Sequence, residues 1–411
     1  METKAFKLVA FAAAVACVAA CSGGGSGDAS NNSTSTPRNT AAGPPPPEFY
    51  AAPTRVTDSL RFAAVAAGYH HTCAIEVGGD TYCWGSNEHG QLGSTAAMGS
   101  CAGGQFKCSG SPVRVESGLR FVLLAASIRH TCGLDSAGNA YCWGFGLGGQ
   151  LGDGLRQNST QPVAVAGGLR FATLAASIAS GSTCGLTAIG DAWCWGTNVG
   201  GELGNGTKTD LQAMPGPLAT STKLKSLSLG QQHACAVDMA GNALCWGNNW
   251  FGQLGVGSAG GANGFAESFT PVAVLGGLKF EEIVAAGMHT CALQSSGRAH
   301  CWGNGEFLGA GVAGYQSLPV PVLAAGSPWQ SLRRGYAQTC ARTPNGELDC
   351  WGQRTSEAGG VAAVPTRIAS PQPFVDYTSG GTHDCAIGAD GFAYCWGSNW
   401  WGQVGRPPSD P

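Results

Sequence analysis

The stretch CAIEVGGDTYCWGSNEHGQLG at residues 73–93 decides the fold. It holds two cysteines with nine residues between them, a glycine six residues after the first cysteine, and Trp-Gly directly after the second. This pattern occurs seven times, and successive second cysteines lie 59, 52, 51, 56, 49 and 45 residues apart. A unit of this length repeated along a chain indicates a repeat architecture. The seven pairs are Cys73 and Cys83, Cys132 and Cys142, Cys184 and Cys194, Cys235 and Cys245, Cys291 and Cys301, Cys340 and Cys350, and Cys385 and Cys395.

The spacing within each pair predicts a β-hairpin closed by its own disulfide. In the second copy, Asp135-Ser-Ala-Gly138-Asn139 suits a type I turn that ends in a left-handed glycine. Counting outward from this turn places Cys132 opposite Cys142 on a pair without hydrogen bonds, where Cα atoms are about 4.5 Å apart. A disulfide tolerates about 4.4–6.8 Å. We therefore expect one disulfide within the hairpin of every copy.

The residues around each hairpin predict a seven-bladed propeller. An Ala/Gly-rich strand precedes the hairpin and a Pro-x-Val element follows it, which gives three or four short strands per unit. Units of about 50 residues with four strands each are typical of propeller blades. The chain stops where another outer strand is due. We therefore expect an all-β propeller over residues 53–411 in which Pro53–Val56 completes the last blade.

The unit resembles the regulator of chromosome condensation repeat. Gly68-Tyr-His-His71-Thr72 and Trp84-Gly-Ser-Asn87-Glu-His-Gly90-Gln-Leu-Gly93 match the motifs of that family, and the resemblance extends over residues 53–405. It implies a seven-bladed propeller, and the founding members of the family exchange guanine nucleotide on a small GTPase. The fifth and sixth copies depart from the final motif, at 305–309 and 356–359.

The first residues predict export. Lys4 and Lys7 precede an uncharged stretch from Leu8 to Ala20, which is too short to span a bilayer and typical of an export signal. Its end, Val18-Ala-Ala-Cys21, resembles the bacterial lipobox, so residues 1–21 form the signal and Cys21 becomes the lipidated mature N-terminus. Ordinary cleavage without a lipid is the alternative. Residues 22–52 are Gly, Ser, Thr, Asn and Pro rich and predict a flexible tether.

The remaining cysteines and the histidines have structural interpretations. Cys101 and Cys108 lie in an insertion of the first blade and are expected to pair, because an exported chain favours disulfides over zinc. A histidine stands two residues before the first cysteine in five copies, with Ser182 and Gln338 in the other two. We expect each such side chain to satisfy backbone groups within its own blade rather than to bind metal. The tryptophans of the Trp-Gly motifs are expected to pack between blades.

Binding residues are expected in the loops after the Trp-Gly motifs, because loops on a rigid scaffold commonly carry function. The candidates are His89, Phe145, Trp250, Phe251, Trp400 and Trp401, with Asn87 and Glu88 beside them. Packing against neighbouring blades is the alternative role for these side chains.

Composition and motifs restrict the function. The net charge of −3 and the 11% of charged residues give no basic surface for nucleic acid. No nucleophile elbow, phosphate loop or metal motif occurs, so we expect no cofactor, no metal site and no catalysis. We predict a monomeric, lipid-anchored cell-envelope protein whose propeller binds a protein or a glycan. The alternatives are guanine-nucleotide exchange, implied by the family, and a glycan-acting enzyme at the axis using Glu88, Glu202, Glu306 or Glu357.

Overall fold

A computed structural model describes residues 49–407 apart from 97–98, 102–103, 105, 210, 261–265, 324–327 and 354–359. The predicted export signal with Cys21 and the predicted tether up to residue 48 lie outside the described residues. No helix in the described ranges is long and apolar enough to cross a membrane.

The strands form seven antiparallel sheets, each of four strands except the first, which has five. Every sheet is one blade of the propeller, so the predicted fold class is confirmed. Blade 1 contains β2 (Phe62–Ala67), β3 (His71–Glu76), β4 (Thr81–Ser86), β5 (Gly99–Cys101) and β6 (Phe106–Arg114). Blade 2 contains β7 (Phe121–Ala126), β8 (His130–Asp135), β9 (Ala140–Gly144) and β10 (Ser159–Ala164). Blade 3 contains β11 (Thr173–Ala176), β12 (Ser182–Leu186), β13 (Ala192–Thr197) and β14 (Leu211–Pro217).

The other four blades repeat this order. Blade 4 contains β15 (Leu224–Leu229), β16 (His233–Asp238), β17 (Ala243–Asn248) and β18 (Glu267–Ala273). Blade 5 contains β19 (Glu282–Ala285), β20 (His289–Leu293), β21 (Ala299–Asn304), the 3-10 helix Gly305–Phe307 and β22 (Tyr315–Pro321). Blade 6 contains β23 (Ser331–Arg334), β24 (Gln338–Arg342), β25 (Leu348–Gln353) and β26 (Val361–Arg367). Blade 7 contains β27 (Phe374–Ser379), β28 (His383–Gly388), β29 (Ala393–Ser398) and β1 (Phe49–Arg55).

The last blade is closed by the first strand, as predicted. Strand β1 pairs antiparallel with β29, and Arg55 lies opposite Tyr394. The strand begins at Phe49, so residues 49–52 of the predicted tether lie in the sheet. Closure removes two exposed sheet edges that would otherwise flank the ring.

Each hairpin has the predicted register and its own disulfide. Cys132 lies opposite Cys142 and is bonded to it, and Gly138 in the turn between them has a φ of 79°, the left-handed value that the loop requires. The other six hairpin disulfides join Cys73 to Cys83, Cys184 to Cys194, Cys235 to Cys245, Cys291 to Cys301, Cys340 to Cys350, and Cys385 to Cys395.

The disulfide predictions are therefore confirmed for every hairpin, with one small difference in distance. The Cα atoms of the seven hairpin pairs are 4.0–4.1 Å apart, slightly closer than expected. Cys101 and Cys108 form an eighth disulfide between β5 and β6, which is the expected pairing within the insertion of blade 1.

The core lies between the blades. Trp143 of blade 2 packs in one buried cluster with Cys73, Cys83 and Leu92 of blade 1. The corresponding tryptophans of the other blades are also fully buried, at 0–1% exposure. Each blade therefore covers the apolar side of the preceding one, which is the predicted role of these residues.

Candidate binding face

One face of the propeller carries the turn after each inner strand and the long loop after each third strand. Successive strands are antiparallel, so these two connections leave the same side of every blade. In blade 1 they are residues 68–70 and the segment after Ser86. We call this side the loop face. It holds all six residues predicted to bind a partner.

Beneath the loop face, histidines link neighbouring blades. His71 Nε2 and Thr131 Oγ1 are 2.8 Å apart, and the threonine hydroxyl donates to the carbonyl of Gln91 at 3.0 Å. The hydroxyl has one hydrogen, so the His71 Nε2–H is the donor to Thr131. Burial lowers the pKa of His71 to about 3, and the ring is therefore neutral. The prediction that these histidines satisfy groups within their own blade is wrong. The buried ring of His71 instead hydrogen-bonds to the neighbouring blade, across the boundary between two blades that we call a seam.

The same link joins four further pairs of blades. The pairs are His130–Thr183, His233–Thr290, His289–Thr339 and His383–Thr72, with separations of 2.6–3.0 Å. In blade 6 the amide of Gln338 donates instead to Asp384 of blade 7 at 2.7 Å. Between blades 3 and 4, Ser182 and Ala234 occupy the two positions. The ring of histidines is thus a set of separate seam contacts, as expected for a structural role.

A backbone carbonyl in five of the long loops also accepts a hydrogen bond from the tryptophan of the next blade. Trp143 Nε1 donates to the carbonyl of Gln91 at 3.0 Å, and Trp246 Nε1 donates to that of Glu202 at 2.9 Å. Within the described ranges, Trp351 Nε1 and Trp396 Nε1 have no partner. These two follow the fifth and sixth copies, whose final motif departs from the repeat. In the described loop of the fifth copy, the departure from the motif therefore goes with the loss of the hydrogen bond to Trp351, while the strands of blade 5 keep their order.

A ring of seven inter-blade hydrogen bonds surrounds the axis at the loop face. The turns after the inner strands donate from one blade to the next through backbone N–H groups or the hydroxyls of Ser127 and Ser177. The donors and acceptors are Tyr69 N to Ser127 O, Ser127 Oγ to Ser177 O, Ser177 Oγ to Gly230 O, Gln231 N to Ala286 O, Gly287 N to Tyr336 O, Tyr336 N to Gly380 O, and Gly381 N to Gly68 O. This ring fixes the positions of the turns around the propeller axis.

A row of five aromatic side chains runs across the loop face from these turns to the rim. Its ring centroids are separated by 5.9 Å (Tyr336–Tyr69), 4.6 Å (Tyr69–His70), 5.3 Å (His70–Trp401) and 4.8 Å (Trp401–Phe106). All five side chains are half-buried. We call this row the aromatic band. It joins blades 6, 1 and 7 and the insertion of blade 1.

A cleft between blades 4 and 5 continues the aromatic band on the far side of the axis. Its volume is about 380 Å³, and Gln231, Trp250, Phe251 and Tyr315 are among its lining residues. The hydroxyl of Tyr336 donates to Gln231 Oε1 at 3.2 Å, which connects the band to the cleft. The described lining carries no charged side chain. The cleft therefore suits an uncharged polar ligand.

The six predicted residues lie in three places on this face. Trp401 belongs to the aromatic band, with Trp400 beside it at 42% exposure. Trp250 is 55% exposed in the cleft, where the rings of Phe251 and Tyr315 are 5.1 Å apart. His89 and Phe145 form a separate pair with centroids 4.9 Å apart. Asn87 is buried and its Oδ1 accepts from Leu92 N–H, so it shapes the loop, whereas Glu88 is exposed.

Sequence reasoning missed four members of the aromatic band: Tyr69, His70, Phe106 and Tyr336. The sequence does contain a signal for Tyr69, because its position varies between copies and holds Ile128, Gln231 and Gly381 in three of them. Variation inside an otherwise regular repeat indicates a position that the fold leaves free.

The carboxylates suggested for an axial enzyme do not share one environment. Glu88 and Glu306 are exposed, Glu202 is fully buried in the seam between blades 3 and 4, and Glu357 lies outside the described residues. Burial raises the pKa of Glu202 to about 7. Among the described residues, no group of three His, Cys, Asp or Glu side chains could hold a metal ion.

The class defined by these features is a disulfide-bonded, seven-bladed β-propeller. Residues 62–91 match a family model described as the regulator of chromosome condensation (RCC1) repeat, and residues 78–134 and 240–293 match a second model with that description. The chain therefore carries RCC1 repeats at these residues.

Relatives of known identity support the same assignment. The chain is 27% identical to the ultraviolet-B receptor UVR8 of Arabidopsis thaliana over 263 residues, which cover 62% of this chain and 56% of the receptor, so the match spans little more than half of the receptor. The crystal structure of human WBSCR16 is similar with a TM-score of 0.69 at 18% identity, covering 89% of this chain and 94% of that one. Prp20p of Saccharomyces cerevisiae gives a TM-score of 0.65 at 21% identity, covering 81% and 82%. The two structural likenesses show the fold alone.

Proposed function

We propose that the protein is an exported, lipid-anchored and non-catalytic binding protein that engages a protein or glycan partner through its loop face. The observation that carries the proposal is the aromatic band, which continues through Tyr336 and Gln231 into the cleft between blades 4 and 5. Half-buried aromatic rings supply a large contact area at a small cost in side-chain entropy, and they dominate the energetics of many interfaces.

The scaffold supports this role because it holds the band rigidly. Tyr69, His70 and Tyr336 come from turns fixed by the axial ring of hydrogen bonds. Trp401 comes from the long loop of blade 7, and Phe106 begins strand β6 in the insertion of blade 1. A preorganised surface binds with less loss of conformational entropy than a mobile one. Eight disulfides in the described ranges suit an oxidising compartment, as does the predicted export signal.

The binding test uses the exported full chain with an affinity tag, incubated with envelope extract and with an array of uncharged glycans. The double variant of Tyr69→Ala with Trp401→Ala removes two side chains of the band. The control, Val77→Ala with Ile189→Ala, removes two side chains that are 67% and 68% exposed on the opposite face. We expect the partner captured by the wild type to be lost, at least about ten-fold, in the first variant and retained in the control. Equal capture by both variants, or no specific capture by the wild type, would exclude the loop face.

The anchor is tested separately. We expect metabolic labelling with palmitate in the wild type and none in Cys21→Ala, which should be recovered in the soluble fraction. The membrane fraction of each strain provides the readout. Unlabelled wild-type protein that is cleaved before residue 22 would support export without a lipid.

Guanine-nucleotide exchange is the alternative suggested by the family. The structure of Prp20p is described together with its binding to Gsp1p and histones, and this chain shares its fold. Export and disulfides separate this protein from cytoplasmic GTPases and their nucleotides. Acceleration of nucleotide release from a GTPase by the reduced protein would favour exchange over the proposal.

A further inference from the structure

An arginine side chain crosses the axial channel. The inner strands enclose a cavity of about 460 Å³ along the propeller axis. Arg334, the last residue of β23 in blade 6, extends from its wall. Its Nε–H donates to Ser228 Oγ of blade 4 at 3.3 Å, and its Nη2–H donates to the carbonyl of Ala176 in blade 3 at 2.5 Å. The guanidinium therefore reaches the side of the channel opposite its own blade.

The positive charge of Arg334 has no carboxylate partner in the described part of the chain. Both of its hydrogen-bond acceptors are neutral. Burial lowers the pKa of Arg334 to about 10, so the side chain stays cationic at neutral pH. The side chain of Arg334 is half-buried, and a guanidinium withdrawn from water without a counter-charge is costly because the lost hydration is replaced only by dipoles.

The two carboxylates of the channel are bound elsewhere. Glu282 accepts from Arg333 at 3.0 Å and from the backbone N–H of Leu332 at 2.7 Å. Asp376 lies 4.0 Å from Arg333 and accepts from the backbone N–H of Val65 at 3.2 Å. The two carboxylates are thus bound by Arg333 and by backbone N–H groups, and Arg334 remains a separate cation.

The free donors of Arg334 suit an oxyanion. A guanidinium has five N–H groups in a planar fork, and the two hydrogen bonds above use two of them. The hydroxyl-bearing residues Thr173 and Ser226 also line the cavity and are half-buried. Carboxylate and phosphate oxygens match a guanidinium fork in geometry and charge.

We propose that the axial channel binds a small oxyanion, a phosphate or a carboxylate, on the guanidinium of Arg334. The bound anion supplies the missing counter-charge and joins blade 6 to the opposite blades through one ligand. This site is separate from the loop face, so it is occupied whether or not the surface partner is bound.

The test is calorimetric titration of the full exported chain with inorganic phosphate, with acetate and with chloride at constant ionic strength. We expect saturable one-to-one binding of phosphate or acetate, with chloride at least about ten-fold weaker because it cannot accept two parallel hydrogen bonds. The phosphate and acetate arms distinguish the two kinds of oxyanion. Arg334→Met should abolish this binding, whereas Arg298→Met, a change at an exposed arginine of blade 5, should not affect it.

Arg334→Lys is the second variant, in case Arg334→Met does not fold. It keeps the charge and loses the planar fork, so we expect weakened binding of the same anion by a folded protein. Absence of saturable anion binding to the wild type, or equal affinity in Arg334→Met, would overturn the proposal. Capture of a partner by the loop face should be unchanged in all three variants.

Discussion

The seams between blades 1 and 2 and between blades 3 and 4 have the same apolar packing but different polar contacts. At the first seam, His71 donates to Thr131, whose hydroxyl donates to the Gln91 carbonyl. At the second, Ser182 and Ala234 stand at the histidine and threonine positions. Both seams bury a tryptophan that donates to a loop carbonyl. The comparison teaches that apolar packing holds the blades together and that the histidine link is a local addition.

The glutamine of the long loop gives a second contrast between the seams. Gln91 Oε1 accepts from the N–H of His89, and its Nε2 donates to Ser86 Oγ at 3.1 Å. Glu202 takes this position at the second seam, and its Oε2 accepts from the N–H of Gly200 at 2.7 Å. A carboxylate can replace the amide as acceptor but can donate only when it is protonated. The second seam is therefore the one whose polar contacts depend on a buried carboxyl group.

The largest expected effect is the same at both seams. Trp143→Ala and Trp246→Ala each remove a fully buried indole and leave a cavity, so we expect a loss of about 3–5 kcal/mol in each case. Chemical denaturation of the disulfide-intact protein provides the measurement. A much smaller loss at the seam of blades 3 and 4 would contradict the idea that both depend on the same packing.

The second-largest expected effect is a loss of stability at low pH that arises at the first seam and not at the second. Burial lowers the pKa of His71 to about 3 from the ordinary value of 6.5. The unfolded chain therefore binds the proton first, and stability is lost as the pH falls below about 6.5 towards 3. At pH 5 this costs about 2 kcal/mol for each such histidine.

His71→Gln checks this expectation, because glutamine fills the same position at Gln338 and does not titrate. Denaturation at pH 7 and pH 5 should show a smaller acid loss in the variant than in the wild type. Ser182→Gln, at the seam without a histidine, is the matched control and should leave the acid loss unchanged. An identical pH dependence in all three proteins would show that His71 is not neutral in the folded state.

Glu202 should give the opposite pH dependence at the second seam. Burial raises its pKa to about 7 from the ordinary value of 4.5. The folded chain holds the proton more tightly than the unfolded one, so stability is lost as the pH rises from about 4.5 through 7. Glu202→Gln should remove this loss and stabilise the protein by about 1–3 kcal/mol at pH 8. Glu88→Gln, an exposed change in the equivalent loop of blade 1, should have no such effect.

Local spacing predicted the parts of the fold that local geometry determines. The turn at Gly138 sets the register of its hairpin, so the partner of Cys132 follows from counting residues. The strand that closes blade 7 followed from the missing outer strand of the last copy. The histidine links could not be predicted, because the partner of His71 lies 60 residues away on another blade.

The aromatic band shows why the candidate site was predicted only in part. Trp401 was found because it follows a Trp-Gly motif, but its neighbours His70 and Phe106 come from a turn and an insertion of blade 1. Their contact exists only after the ring closes and brings blade 7 beside blade 1. The insertion has no counterpart in the repeat, so the pattern gave no position for Phe106.

The smallest expected effect comes from building the absent link. Ser182→His with Ala234→Thr would place the histidine and threonine of the other seams between blades 3 and 4. A net hydrogen bond contributes about 0.5–1.5 kcal/mol, so we expect the double variant to be more stable than the sum of its single variants by about that amount. Denaturation of the wild type, both single variants and the double variant at pH 7 measures this coupling. Blade 3 has two more residues than blade 1 between its inner strand and the first cysteine, and this longer turn sets the position of residue 182. Zero coupling would therefore mean that the turn holds the new ring away from the threonine, and that the seams differ in backbone as well as in side chains.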